Sequence, residues 1–156
     1  MSLRYQFLND RPDEIQTVIR WWNTVWSDRL GPDLKGVEKQ LAKSLSKTEL
    51  PIHLLAYLDE APIGTAALKY REMEALYPDC YYWLGSVFVD PGHRGSKVAS
   101  QLTMKVISLA KDRGLPHLYL QTANLNGGLY TSLGWEPVER FFYNNEESLL
   151  MLNKFK

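Results

Sequence analysis

The segment Trp83-Leu84-Gly85-Ser86-Val87-Phe88-Val89-Asp90-Pro91-Gly92-His93-Arg94-Gly95-Ser96-Lys97-Val98-Ala99 has the residue types to hold an anion. It reads as a buried strand, a tight Pro-Gly turn, a short basic loop and the start of an amphipathic helix. The first turn of a helix carries free backbone N–H groups and a partial positive charge, so it binds anions readily. Arg94 adds a fixed cation, and Gly95 lets the backbone approach a ligand closely. A phosphate or pyrophosphate is the natural guest. The loop does not follow the pattern G-x-x-x-x-G-K-[ST], which disfavours ATP.

The rest of the chain must supply elements that hold this loop. Arg4 to Leu8 alternates weakly as a first strand. Asp10 or Asp13 is expected to cap a first helix that Pro12 helps to start. Ile15, Val18, Ile19, Trp22 and Trp26 form its apolar stripe. Trp21, Trp22 and Trp26 make a dense aromatic cluster, read either as core or as one indole lining a pocket. After Gly31-Pro32-Asp33 a second helix is expected from about Asp33 to Leu50, with Leu34, Val37, Leu41 and Leu45 on one face. The period then changes. Ile52 to Leu58 and Ile63 to Lys69, joined by Asp59-Glu60-Ala61-Pro62, read as a hairpin. Residues 70 to 80 form a polar loop, and Tyr81 to Val89 is apolar enough for a central strand. A helix is expected from Ser96 to Arg113, with Gly114 just past its end. His117 to Thr122 is a strand, Asn126 to Leu133 a short helix, and Glu136 to Tyr143 and Ser148 to Phe155 two closing strands. The strands at 81–89 and 117–122, linked by a helix, should be parallel through a right-handed crossover. The fold class is therefore α/β of the α+β type: a mixed, mostly antiparallel sheet with one parallel β-α-β crossover and helices on both faces.

Bulk properties bound the function. A chain of 156 residues is expected to form one domain, residues 1–156. Eighteen basic residues balance eighteen acidic ones, which argues against a nucleic-acid or membrane-surface role. The single cysteine, Cys80, cannot form an internal disulfide. His53, His93 and His117 lack metal-ligand spacing, so no metal is implied. Met1 to Gln6 shows no signal sequence and no run is long enough to span a membrane, so a cytoplasmic location is expected.

A second motif lies downstream: Asn124-Leu125-Asn126-Gly127-Gly128-Leu129-Tyr130-Thr131-Ser132-Leu133-Gly134-Trp135-Glu136. Together the two motifs, with a helix and a parallel strand between them, resemble the GCN5-related N-acetyltransferase (GNAT) superfamily. The first is similar to that family's R-x-x-G-x-G/A loop and the second to its N-x-x-A-x-x-L-Y-x-x-x-G-F/W-E. The likeness is sharp over residues 83 to 138 and vague before residue 50. It implies an acetyltransferase that uses acetyl-CoA as co-substrate. Arg94 and the backbone from Gly95 through Ser96, Lys97 and Val98 to Ala99 would cradle the pyrophosphate. Phe88 and Val89 would pair with the pantetheine arm, and a bulge there would aim an N–H at the thioester carbonyl. Asn124 would contact the cofactor, and Tyr130 would meet the CoA sulfur as general acid.

Two positions depart from the family pattern. Lys97 stands where glycine is usual, and its side chain either crowds the pyrophosphate, points outward or adds a cation. Gly127 replaces the common alanine, which could loosen the short helix. The general base is sought among Glu72, Glu74 and Asp79 in the 70–80 loop, with Glu74 preferred; Ser86 could order a water but is too weak a base alone. The aromatic-rich first helix and this loop, with Tyr70 and Tyr77, suggest a pocket for a cationic amine. The acceptor is expected to be a small-molecule or peptide amine, and Phe141-Phe142-Tyr143 could serve a homodimer interface. Two other classes remain open at this point: a catalytically weak or inactive CoA-binding regulatory module, and a nucleotide-binding regulator.

Overall fold

Apolar residues change period along the chain as a mixed sheet requires, and the elements follow in the expected order. The computed structural model describes residues 3–155; residues 1, 2 and 156, the ends of the expected 1–156 unit, lie outside them. The elements are β1 (Arg4–Phe7), α1 (Ile15–Leu30), α2 (Leu34–Ser44), β2 (Ile52–Leu58), β3 (Ala61–Tyr70), β4 (Tyr82–Val89), α3 (Val98–Asp112), β5 (His117–Thr122), α4 (Leu129–Ser132), β6 (Glu136–Tyr143) and β7 (Glu146–Lys154). They build one seven-stranded sheet in the order β1-β2-β3-β4-β5-β7-β6. Only β4 and β5 pair in parallel; every other neighbouring pair is antiparallel.

Period-two burial explains why helices cover both faces. In β2, Ile52, Leu54 and Ala56 join the cluster under α3, built with Val98, Leu102, Val106 and Ala110. The intervening Leu55 and Tyr57 join the opposite cluster under α1 and α2, with Val18, Ile19, Trp21, Trp22 and Leu41. A strand buried on both sides is expected to be nearly all apolar, and His53 is the exception in this one. Leu102 is fully buried, so truncating it to alanine would cost about 2–5 kcal/mol.

Side-chain bonds to the backbone move several boundaries. Neither Asp10 nor Asp13 caps α1; Asp13 is held by the Arg11 guanidinium at 2.9 Å. Two short 3-10 turns, Leu8–Asp10 and Pro12–Glu14, precede the helix instead. Asp33 does cap α2, accepting from the Gly36 amide at 3.0 Å. That helix ends at Ser44 rather than Leu50. The Ser44 hydroxyl donates back to Leu41, and Ser46 Oγ accepts from the amides of Thr48 and Glu49, bonds that compete with helical ones. The α3 helix starts at Val98 rather than Ser96, because Lys97 is left-handed with φ +64°. The β7 strand starts at Glu146 rather than Ser148, directly after the left-handed pair Asn144-Asn145.

The shortest helix, α4, starts at Leu129 rather than Asn126. Gly127 has φ +84°, and a Cβ there would press on Thr131 Oγ1 and lie 2.8 Å from Met151 Cε. A side chain at Gly127 would require Thr131 and Met151 to shift and would be strained at this φ.

Candidate active site

The sheet opens where its parallel pair ends. Trp83 pairs with Tyr119 across β4 and β5, their rings 5.6 Å apart. Beyond this point Leu84–Val87 of β4 and Leu120–Ala123 flank a cavity of about 680 Å³. On its other edge β4 is bulged against β3. Thr65 pairs with Phe88 and Ala67 with Gly85, so Ser86 and Val87 together oppose the single residue Ala66. Ser86 takes φ +53° to do this. A bulge of this kind increases local twist and leaves backbone groups unpaired, often beside a functional site. Helix α1 lines the same cavity with Trp22, Val25 and Trp26, and its backbone leaves helical geometry at Trp26. Lys69, Glu72, Tyr130, Glu146 and Ser148 line it as well.

A second cavity of about 500 Å³ lies along the end of β4 and the start of α3. Phe88, Val89, His93, Arg94, Gly95, Lys97, Val98, Ala99 and Ser100 line it. Both cavities share Val25, Trp26 and Val87, so they adjoin at the bulge. The basic loop is well tied. Asp90 accepts from the Gly92 amide at 3.0 Å. Arg94 Nε donates to the Val89 carbonyl at 2.9 Å, and its guanidinium stands 5.2 Å from the Phe88 ring centre. Phe88 stacks in turn on Trp21 at 5.7 Å. The Gln101 amide bonds to the Lys97 carbonyl at 3.0 Å, which leaves the amides of Val98, Ala99 and Ser100 as the unpaired first turn. An anion fits this end of the second cavity, with cations and free amides converging and no carboxylate in the lining.

The residues singled out from the sequence fall into three groups. Phe88, Val89, Arg94, Gly95, Lys97, Val98 and Ala99 line the second cavity, and Tyr130 lines the first. Ser96 and Asn124 line neither. Asn124 Oδ1 accepts from the Asn126 amide at 3.1 Å, and its amide group lies beneath Gly128, so it shapes the turn into α4. Glu74 is also outside both cavities. Its side chain is 64% exposed and pairs with Arg71 at 3.1 Å. Glu72, two residues earlier, lines the first cavity, is 24% exposed and pairs with Lys69 at 3.1 Å.

The expected tyrosine pocket does not assemble either. Tyr70 stacks on Tyr81 at 6.1 Å, with the Arg71 guanidinium over both rings. Tyr77 donates to Glu139 at 3.1 Å and meets Phe141 edge-on. Asp79 lines neither cavity. The aromatic lining of the first cavity is Trp22 and Trp26 of α1, the helix half of that expectation, together with Tyr130. The contributions of Lys69, Glu146 and Ser148 carry no local sequence signal; only the Asn144-Asn145 turn hints that Glu146 starts a strand at this end of the sheet.

Tyr130 is the best-supported side chain in the first cavity. Its backbone amide donates to Gly127, and its carbonyl accepts from Leu133 and Trp135. Its ring meets Trp135 edge-on at 6.1 Å. Burial pushes the phenol above its ordinary value of 10, so it is a proton donor at neutral pH. Behind the cavity, Trp22 lies against His53 at 5.6 Å. His53 is buried with Nδ1 unpartnered, and burial, with the charge of Lys69, lowers its pKa to about 3. Among the described residues no cluster of three or more His, Cys, Asp or Glu side chains could hold a metal ion, and no helix is long and apolar enough to cross a membrane.

Known structures share this architecture. An aminoglycoside 6′-N-acetyltransferase complexed with coenzyme A superposes with a TM-score of 0.75 at 12% identity, over 99% of this chain and 97% of that one. A ribosomal-protein-alanine N-acetyltransferase from Brucella melitensis gives 0.74 at 17% identity, over 99% and 100%. A NatC complex bound to Gag peptide and CoA gives 0.71 at 16% identity, over 100% of both chains. At these identities the likeness shows the fold. No curated protein matches the sequence. The model of the acetyltransferase (GNAT) family does match, over residues 15–135, from the first residue of α1 to the tryptophan against which Tyr130 packs, and the chain belongs to that family.

Proposed function

We propose that this protein is an acetyl-CoA-dependent N-acetyltransferase acting on an amine of a small molecule or peptide. The observation that carries the reading is the meeting of two unlike cavities at the β4 bulge. One is lined by cations and free amides with no carboxylate, the other by the carboxylates of Asp28, Glu72 and Glu146, two indoles and a half-buried phenol. In this reading the diphosphate of acetyl-CoA rests on the first turn of α3 beside Arg94, and the pantetheine arm follows Val87–Val89. The thioester then lies at the bulge, where an unpaired N–H of β4 stabilises the oxyanion.

The amine enters through the other cavity. A free alkylamine with pKa near 10 is protonated at pH 7 and cannot attack until it loses a proton. Glu72 is the proposed base, taking over the role expected of Glu74, and Lys69 beside it holds the carboxylate in place. The C–N bond forms as the C–S bond breaks. The ammonium gives one proton to solvent before attack. As the C–N bond forms, Glu72 takes the second proton from nitrogen, and the Tyr130 phenol protonates the departing thiolate. The phenolate regains a proton from water, to which Glu72 releases its own. The similar structures are named for N-acetylation of an aminoglycoside and of a ribosomal-protein alanine, which keeps both small-molecule and peptide amines in view.

The test is a titration with acetyl-CoA followed by thiol release across a panel of amines. Saturable binding with CoA release on at least one amine is the expected result. No saturable binding at millimolar acetyl-CoA would end the proposal. Binding without turnover on a broad panel would favour a CoA-binding regulatory module.

A further inference from the structure

At about 680 Å³ the cavity under α1 has room for a whole small molecule rather than a single amine. Three carboxylates and two cations line it. Lys69 is already paired with Glu72. Asp28 and Arg29 are exposed neighbours at the end of α1, and their opposite charges offset each other. Glu146, at the start of β7, is left over. Among the described residues no ion pair or hydrogen bond engages its carboxylate. Two residues on, Ser148 faces the same side of the strand, as alternation requires, and lines the same cavity. It is only 7% exposed, yet among the described residues nothing bonds to its hydroxyl. A buried hydroxyl without a protein partner is uncommon, and here the open side is the cavity. On the α1 wall, Trp26 has no stacked ring and no cation over its indole among the described residues, so its face is free for one.

We infer that the acceptor is a small dicationic amine whose second ammonium is held by Glu146 and Ser148 while the first nitrogen is acetylated at the β4 bulge. The inference deepens the acetyltransferase reading and rests on it. The second nitrogen keeps its proton, donating to the Glu146 carboxylate and the Ser148 oxygen. Sheet order sets the span. β7 lies two strands from β4, and neighbouring strands are about 4.8 Å apart, so these side chains stand about 10 Å or more from the bulge. Subtracting about 3 Å for the contact itself leaves about 7 Å, the span of a diamine of roughly five carbons.

The test measures kcat/KM at saturating acetyl-CoA for alkyl diamines of increasing length and for matched monoamines, with acetyl-CoA binding followed separately by calorimetry. The wild-type protein should favour a diamine over its monoamine about tenfold or more, the worth of one charge-assisted contact. The preference should set in at about five carbons. Glu146→Gln should bring the ratio close to one, chiefly through KM. Ser148→Ala should lower it about threefold. Glu147→Gln, on the opposite face of β7 and outside the cavity lining, should keep the wild-type ratio. Equal use of diamines and monoamines by the wild-type protein, or an unchanged ratio in Glu146→Gln, would overturn the inference and leave the transferase reading standing. An equal loss in the Glu147 variant would do the same, since it would mark a diffuse charge effect. Turnover of other amines but of no diamine would also overturn it. Failure to bind acetyl-CoA, or binding without turnover of any amine, would remove the acetyltransferase reading and the inference with it.

Discussion

The two cavities that meet at the β4 bulge are built in opposite ways. Most of the one beside α3 comes from a single run, residues 87–100, and much of its binding capacity is backbone: free amides, a bulge and a turn. The one under α1 draws on five separate segments, around residues 22–30, 69–72, 84–87, 120–130 and 146–148, and its character comes from side chains. The difference teaches where substitution is tolerated. A backbone site survives a change of side chain provided the local conformation is kept, as Lys97 illustrates by holding a left-handed turn. A side-chain site changes its chemistry with each contributing residue, which suits the half of a transferase that must recognise an acceptor.

Four measurements sharpen or break this contrast. The largest effect is expected from Glu72→Gln, which should lower kcat/KM about a hundredfold at pH 7, within the range for loss of a general base. Wild-type turnover in that variant would remove Glu72 from the mechanism and turn the search for a base to Asp28 and Glu146, which line the same cavity.

The core behind the same cavity should respond to acid. His53 has a folded-state pKa of about 3, below the unfolded value near 6.5. Above pH 6.5 both states are neutral and the stability is complete. Below it the unfolded chain takes up a proton that the folded protein refuses, so stability falls by about 1.4 kcal/mol per pH unit down to about pH 3. Urea unfolding should therefore lose about 2 kcal/mol between pH 7 and 5, and His53→Leu should remove most of that loss. An unchanged slope in the leucine variant would mean that His53 does not report on folding in this range.

Tyr130→Phe keeps the ring packed on Trp135 and removes the hydroxyl. It should lower kcat at least about tenfold with little change in acetyl-CoA affinity. A fall in affinity with unchanged kcat would make the phenol a binding group instead. Glu74→Gln should have the smallest effect, turnover within about twofold of wild type, since only an exposed pairing with Arg71 is lost. A tenfold loss there would show that the loop rearranges on binding and that Glu74 reaches the cleft after all.

Much of the fold was legible because strands buried on both faces and amphipathic helices leave plain periodicities, as in Ile52–Leu58 and Val98–Ala110. Helix ends were less so. The helix after Asp33 stops at Ser44 because serine hydroxyls bind nearby backbone, and no apolar pattern records that. The candidate site divided in the same way. The run from Phe88 to Ala99 could be read locally, since a strand, a turn and a helix start in sequence are neighbours in space. Glu72 and Glu74 could not be told apart, because which of two acidic residues in an irregular loop turns inward depends on Lys69, Arg71 and the strand beside them.

The chain by itself determined the order of elements, the crossover and the tight basic loop before α3, all of which follow from contacts between residues close in sequence. Only the tertiary structure decided which side chains share the cavity under α1. Trp22, Glu72, Tyr130 and Glu146 are brought together by the parting of β4 and β5 beyond Trp83 and Tyr119, and long-range packing of that kind leaves no periodic mark on any one segment.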